Sequence, residues 1–324
     1  MQSRRLAQWL TCAALAGAAT FSFAQQWPNG PVRVIVPFAP ASTPDVVARV
    51  VSERLGARLN ATMVVENKAG AAGNLGTDAL VKAAPDGQTI GIGIAGPLGV
   101  NSLLFKKLPF DPARDIQLVT IAATQPAVLV VSNKLGATNT AELLALMKKN
   151  TGKYSFSSLG AGSVSHLAME TLSSRVGADL VHVPYAGSGA AVTALISGDV
   201  EMAVLPAGSV MPHVKAGKIK ALAVASAKRS SLLPDLPTLA EGGIADIQAD
   251  AWIGFILPAK TPPAIAARLQ TELVQILAEP TTKDKLRLAY MEPVGNTPAE
   301  FRNVLAADVA RWKPVIEKNH ITLD

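Results

Sequence analysis

Short apolar runs alternate with segments of helical period along most of this chain, and that alternation restricts it to strand, helix, strand units around a parallel sheet. Val32-Arg33-Val34-Ile35-Val36 reads as a first strand. After Pro44, residues Val47, Val50, Val51, Leu55 and Leu59 fall on one helical face, and Met63-Val64-Val65-Glu66 forms the next strand. A helix over Leu75 to Ala84 is stopped by Pro85-Asp86-Gly87 before a strand over Thr89 to Ile94. The middle of the chain repeats the pattern: strand Tyr154 to Ser157, helix Val164 to Val176, strand Leu180 to Val183, helix Ala190 to Ser197, strand Val200 to Val204 and strand Ile219 to Val224. Gly198 and Gly217 sit where helices end, because glycine tolerates positive φ. Amphipathic helices follow at Ile265, Leu269, Leu273, Ile276 and Leu277, and at Phe301, Val304, Leu305, Val309 and Trp312.

Two apolar stretches cross between these blocks: Leu118 to Val131, interrupted by Gln125-Pro126, and Ala249 to Leu257. Two crossings predict two doubly wound α/β lobes, residues 25–124 plus 250–324 and residues 125–249, joined by a two-strand hinge over a cleft.

Ahead of the first lobe, Arg4 and Arg5 precede an apolar run from Leu6 through Ala19, and Phe21-Ser22-Phe23-Ala24 puts small residues three and one positions before Gln25. This predicts a secretory signal over residues 1–24, cut after Ala24, and a periplasmic location. The run is shorter than the roughly 20 residues a membrane span needs. Cys12, the single cysteine, lies inside the signal, and Thr11 before it does not suit a lipoprotein site. The mature chain therefore carries no thiol or disulfide and relies on a hydrophobic core. Losing Arg4 and Arg5 lowers the formal charge from +6 to +4, with basic residues scattered. That excludes a backbone-tracking nucleic-acid surface.

In a doubly wound sheet, ligands bind beyond the carboxyl ends of the strands. Four strand-to-helix loops are candidates. In Pro37 to Asp45, Thr43 can cap the following helix and Pro44 suits its first turn, so the helix amides and dipole would favour an anion. Asn67 to Asn74 is glycine-rich but lacks the Gly-Lys-Ser/Thr of a phosphate loop. Ser157 to His166 packs hydroxyls and glycines into the strongest anion-nest candidate, and Pro184 to Gly189 repeats the arrangement with the Tyr185 ring added. Any one such turn can be purely structural. Their sharing one side of the strands is what points to a ligand.

Catalytic patterns are missing: there is no Gly-x-Ser-x-Gly, no His-Glu-x-x-His, no metal-spaced Cys and His, and no dinucleotide turn. No metal or cofactor is implied. Of the four histidines, His166 lies in the third loop, His182 and His213 read as structural, and His320 as solvated.

With these loops in view, the chain resembles the Bug family, the periplasmic substrate-binding proteins of tripartite tricarboxylate transporters. The resemblance rests on Pro31-Val32-Arg33-Val34-Ile35-Val36-Pro37-Phe38, Val64-Val65-Glu66-Asn67-Lys68, Ala83-Ala84-Pro85-Asp86-Gly87, Leu108-Pro109-Phe110-Asp111-Pro112, Ser165-His166-Leu167, His182-Val183-Pro184-Tyr185, Pro212-His213-Val214-Lys215-Ala216-Gly217 and Pro234-Asp235-Leu236-Pro237-Thr238. It implies a type II periplasmic-binding fold that captures a small organic carboxylate, delivers it to membrane transporter subunits, and acts as a monomer without catalysis. Carried onto this chain, the ligand set is Ala39, Ala41, Ser42, Thr43, Asn74, Ala95, Gly96, Ser158, Gly160, Ala161, Gly162, Ser163, His166, Tyr185, Ala186, Gly187, Ser188 and Leu205. Two departures stand out: Ala41-Ser42 replaces a double glycine, and Leu205 replaces an acid that could pair with an ammonium group. The resemblance therefore implies a carboxylate without a charged amine. Two other readings fit the residues: a receptor that signals to a membrane sensor, and a hydrolase using Ser163 or Ser165 with His166.

Overall fold

A computed structural model describes residues 27–323, so the expected signal over residues 1–24 lies outside the described residues. The chain begins with β1 (Val32–Val36), α1 (Thr43–Leu59), β2 (Met63–Asn67), α2 (Asn74–Val81) and β3 (Thr89–Gly93). β1 lies between β2 and β3 and runs parallel to both. Val32, Val34, Ile35 and Val36 are all buried because this strand is covered on both faces. α1 buries Val47, Ala48, Val51, Leu55 and Leu59, and Asn60 ends it in the left-handed conformation, its N–H donating to Gly56 O.

β4 (Ile116–Gln125) and β5 (Ala127–Ser132) follow on either side of Pro126. The remaining elements of the second block are α3 (Thr140–Lys149), β6 (Tyr154–Ser158), α4 (Val164–Val176), β7 (Leu180–Pro184), α5 (Ser188–Ser197), β8 (Met202–Pro206), α6 (Ala207–Lys215) and β9 (Ile219–Val224). The chain returns through β10 (Ala251–Pro258), α7 (Pro263–Ala278), α8 (Pro280–Leu288), β11 (Glu292–Pro293) and α9 (Pro298–Lys318). One sheet has the order β11-β4-β10-β3-β1-β2 and the other β7-β6-β8-β5-β9.

Both sheets are mixed. β10 runs antiparallel to β3 and β4, and β5 runs antiparallel to β8 and β9, so the crossing segments oppose the strands around them. Element edges also depart from the sequence pattern for local reasons. The strand expected over Val200 to Val204 begins at Met202, because the N–H groups of Asp199 and Val200 turn back to Ala194 O and close α5. That helix starts at Ser188, two residues before the expected Ala190, with extended Gly187 as its cap. α2 ends at Val81 because Ala83 N bonds Leu80 O, tightening the last turn. No helix among the described residues is long and apolar enough to cross a membrane.

The C-terminal helix α9 joins the two blocks. Phe301 is fully buried and meets the Trp252 ring edge-on at 5.1 Å, while Trp252 Nε1 donates to Asp308 at 2.6 Å. Farther along, Lys318 Nζ donates to Ser174 Oγ of α4 at 2.5 Å, and past the helix Leu323 N donates to Leu104 O at 3.0 Å. Glycine at 254 makes the Phe301 contact possible, since a methyl there would stand 2.4 Å from Phe301 Cζ. Gly254→Ala is therefore expected to lower stability by about 1–3 kcal/mol through overpacking. Adding Phe301→Leu should recover part of the loss. Urea unfolding of the single and double variants measures both.

Candidate functional site

Because β1, β2 and β3 are parallel, the loops after them leave one edge of the first sheet; the loops after β6, β7 and β8 likewise share one edge of the second. Two contacts bring these edges together. At the first, Gln125, almost fully buried, accepts a hydrogen bond from Thr43 Oγ1 at 3.2 Å and donates to Ala289 O at 2.7 Å. Gly208, near the start of α6, packs so tightly here that a methyl on it would lie 2.7 Å from Gln125 Nε2. At the second, Gly162 of the third loop faces Leu104, where a methyl would stand 2.5 Å from Leu104 Cδ1. Loops from the two sheets thus meet at facing edges, the side on which doubly wound sheets bind ligands.

The first loop is held by a buried carboxylate. Asp45 accepts from Ala41 N, Arg49 Nε and Asn67 Nδ2, each at 2.9 Å, and Asn67 Nδ2 also donates to Phe38 O. Burial pushes the Asp45 carboxyl up, but its donors from Arg49, Asn67 and Ala41 outweigh that and hold it below the usual range. This arrangement forces Ala41 to φ 62, a left-handed conformation that strains alanine. Thr43 does not cap α1. It is the first helical residue and its hydroxyl turns to Gln125, while Ser42 occupies the cap position with no side-chain cap bond. Ser42 Oγ is shielded from solvent and has no partner among the described residues.

Asn74 is 3% exposed, and its Oδ1 accepts from Asn101 Nδ2 at 2.7 Å, which also reaches Ala72 O at 3.2 Å. It braces the second loop against the turn that holds Ala95 and Gly96, Ala95 itself being buried. In the third loop the hydroxyls serve the loop itself: Ser163 Oγ donates to Gly160 O at 2.6 Å, and Leu159 N donates to Ser165 Oγ at 2.9 Å. The N–H groups of Ala161, Val164 and Ser165 have no acceptor among the described residues. Tyr185 N donates to Ser158 O at 3.1 Å, linking the fourth loop to the third. Ala186 is exposed, Gly187 and Ser188 are half-buried, and the first-turn N–H groups of α5 are likewise free of protein acceptors among the described residues.

Leu205 leaves the candidate set. It is fully buried in an apolar cluster with Val128, Leu195 and Val210, and so has no surface to offer a solute. Ser158 and His166 are also buried, at 0% and 5% exposure, and support the loop from below. His166 Nδ1 accepts from Gly162 N at 3.0 Å and its Nε2 faces Glu170 at 3.3 Å. With the Ser163 and Ser165 hydroxyls turned elsewhere, neither is paired with that imidazole for hydrolysis. Among the described residues no group of three His, Cys, Asp or Glu is arranged to hold a metal ion.

The family model for the tripartite tricarboxylate transporter family receptor matches residues 47–321. The chain belongs to this family. It is a solute-binding receptor and not an enzyme, with the two-lobed fold of its solved relatives. The protein BugT of Bordetella pertussis is 34% identical over 306 residues, 94% of each chain. A Rhodopseudomonas palustris protein solved with adipate, Rpa4515, is 31% identical with a TM-score of 0.86, covering 91% of this chain and 99% of that one. MatC of the same organism, solved with bound malate, is 29% identical with a TM-score of 0.80, covering 90% and 100%.

Sequence reasoning missed Gln125, Asp45, Asn101 and His182. Gln125 was visible only as a polar break in an apolar run, and Asp45 as an acid in the first turn of a helix, where such side chains reach back to loop amides. Nothing local marks Asn101. His182 reads as a strand residue, yet its ring stacks on His166 and its Nε2 lies 2.6 Å from Ser158 Oγ.

Two outcomes follow for stability. Ala41→Gly is expected to stabilise by roughly 0.5–1 kcal/mol, the relief of left-handed strain less the added freedom of the unfolded chain. Thermal unfolding at neutral pH reads it. His182 is lowered to about 4, first by burial and then by the neighbouring His166. Between its unfolded value of 6.5 and about 4, the unfolded state holds a proton that the folded state lacks, so this contribution to stability falls as pH falls. Asp250 acts oppositely, since burial pushes it up to about 6. The His182 share is therefore the difference between wild type and His182→Gln, which should be largest near the acid end of that window.

Proposed function

We propose that this chain is a periplasmic receptor that binds a small organic dicarboxylate between lobes 25–124 plus 250–324 and 125–249, and delivers it to the membrane subunits of a tripartite transporter. The observation that carries the reading is the set of donors bordering the cleft. Ser42 Oγ and the amides at the starts of α1, α4 and α5 lack protein partners among the described residues, and all are donors. Such groups suit carboxylate oxygens, which accept hydrogen bonds and are favoured at helix N-termini. Donors stand on both lobes, so a solute with a carboxylate at each end would be gripped from both sides. That differential contact is what favours a closed form. The solved relatives holding adipate and malate support the same class of ligand. The candidate loops contain a single cationic side chain, Lys68, and no acid apart from the engaged Asp45. The absence of a free acid there favours diacids over amino acids carrying an ammonium group.

A carboxylate at 100 times its dissociation constant should raise stability by about 2.7 kcal/mol. Thermal unfolding of the mature protein against adipate, succinate, malate, glutamate and neutral diols is expected to show shifts only with the acids, larger for diacids than for glutamate. Shifts with the diols alone would refute the reading. In the same assay Ser42→Ala should cost about 1.5–3 kcal/mol of binding free energy, as for a hydrogen bond to a charged group.

A further inference from the structure

Two imidazoles lie side by side beneath the third and fourth loops. His166 comes from the first turn of α4 and His182 from the edge strand β7, sixteen residues apart in sequence, yet their rings stack with centroids 3.8 Å apart and planes within 11°. Phe156 of β6 extends the stack, 4.9 Å from His182. Each imidazole places one nitrogen against the 158–163 loop. His166 Nδ1 accepts the Gly162 amide at 3.0 Å, which puts the ring proton on Nε2 toward Glu170. His182 Nε2 lies 2.6 Å from Ser158 Oγ, and that hydroxyl also donates to Gly160 O at 3.1 Å, so His182 reaches the loop through Ser158. Ser158 Oγ in turn accepts from Gly160 N at 3.2 Å. His166 thus accepts the loop's own amide, His182 is bonded to the loop's first residue, and both hold the same loop.

That loop has reason to need holding. Gly160 and Gly162 take φ 110 and 75, where glycine is permissive and the backbone has most freedom to lose. Between and after them stand the free amides of Ala161, Val164 and Ser165. An amide that must be ordered when the solute arrives binds it less well than one already in place.

We propose that the stacked pair His166 and His182 positions the 158–163 loop, keeping the unpartnered amides of Ala161, Val164 and Ser165 in place for the solute without either imidazole touching it. The inference rests on these loops being the carboxylate site. Glycine supplies the backbone shape, and the histidines hold it.

The test uses the mature chain with adipate, succinate and malate as probes, read by calorimetry. His166→Leu, which keeps bulk but removes the acceptor, and His182→Phe, which keeps the stack but removes the nitrogen, should each weaken binding about tenfold, the scale of one lost hydrogen bond to the loop. His166→Asn offers Oδ1 where Nδ1 stood and should recover most of the affinity, a rescue that a bulk-packing role would not give. Wild-type affinity in His166→Leu, or no recovery in His166→Asn, would overturn the proposal. Nitrogen NMR of the wild-type imidazoles at neutral pH reads the same assignment without any ligand and without depending on a variant folding. His166 protonated on Nε2 is expected, and a proton on His166 Nδ1 overturns the proposal. If none of the diacids binds the wild type, the carboxylate reading fails, while the NMR result still decides whether the pair holds the loop.

Discussion

Pro126 has no N–H, so the ladder carried by β4 cannot run through it unchanged, and the chain passes from one sheet into the other at that residue. The rest of the architecture depends on this break. On one side Gln125 is the last residue of β4; on the other Ala127 opens β5, and Pro126 O accepts from Ala207 N at the start of α6. The return strand begins beside it, Ala251 pairing with Gln125. Two adjacent crossings, with the long helix α9 reaching from Trp252 to Ser174, are all that a pair of lobes needs to remain one molecule while keeping a cleft between them.

Within that frame the site is made mostly of backbone. Charged groups near the loops are committed to shaping them: Asp45 gathers Ala41, Arg49 and Asn67, and its carboxylate is satisfied before any solute arrives. Hydroxyls divide the same way. Thr43, Ser158, Ser163 and Ser165 are engaged within the protein, and Ser42 is the one in the first and third loops left without a partner among the described residues. On the proposed function, a receptor built from amides and helix ends would bind an anion without a fixed counter-charge. This keeps the electrostatic attraction moderate and lets shape and the spacing between donors choose the solute.

The fold was largely legible because apolar periodicity is a local property that burial enforces. β1, α1 and β2 fall where apolar runs and the 3.6-residue stripe put them, since β1 is covered on both faces and α1 buries one, while β2 at the sheet edge leaves Val64 exposed. Errors gathered at element ends, where capping decides: Val200 reads as strand, but its amide closes the preceding helix. The antiparallel course of β10 was not legible either, because a buried apolar run looks alike in both directions.

The sequence by itself determined the glycine-bearing loops, the helices that start after them and the apolar strands that carry them, because these depend on backbone freedom and burial within a few residues. Tertiary structure alone decided what each side chain does there. It turned Thr43 to a hinge glutamine 82 residues away, buried Leu205 inside a lobe, and brought His166 and His182 into contact. Hydrogen bonds and ring stacking act over a few ångströms in space. Which residues meet at that distance is set by how the two sheets are wound, and no local pattern in the chain records it.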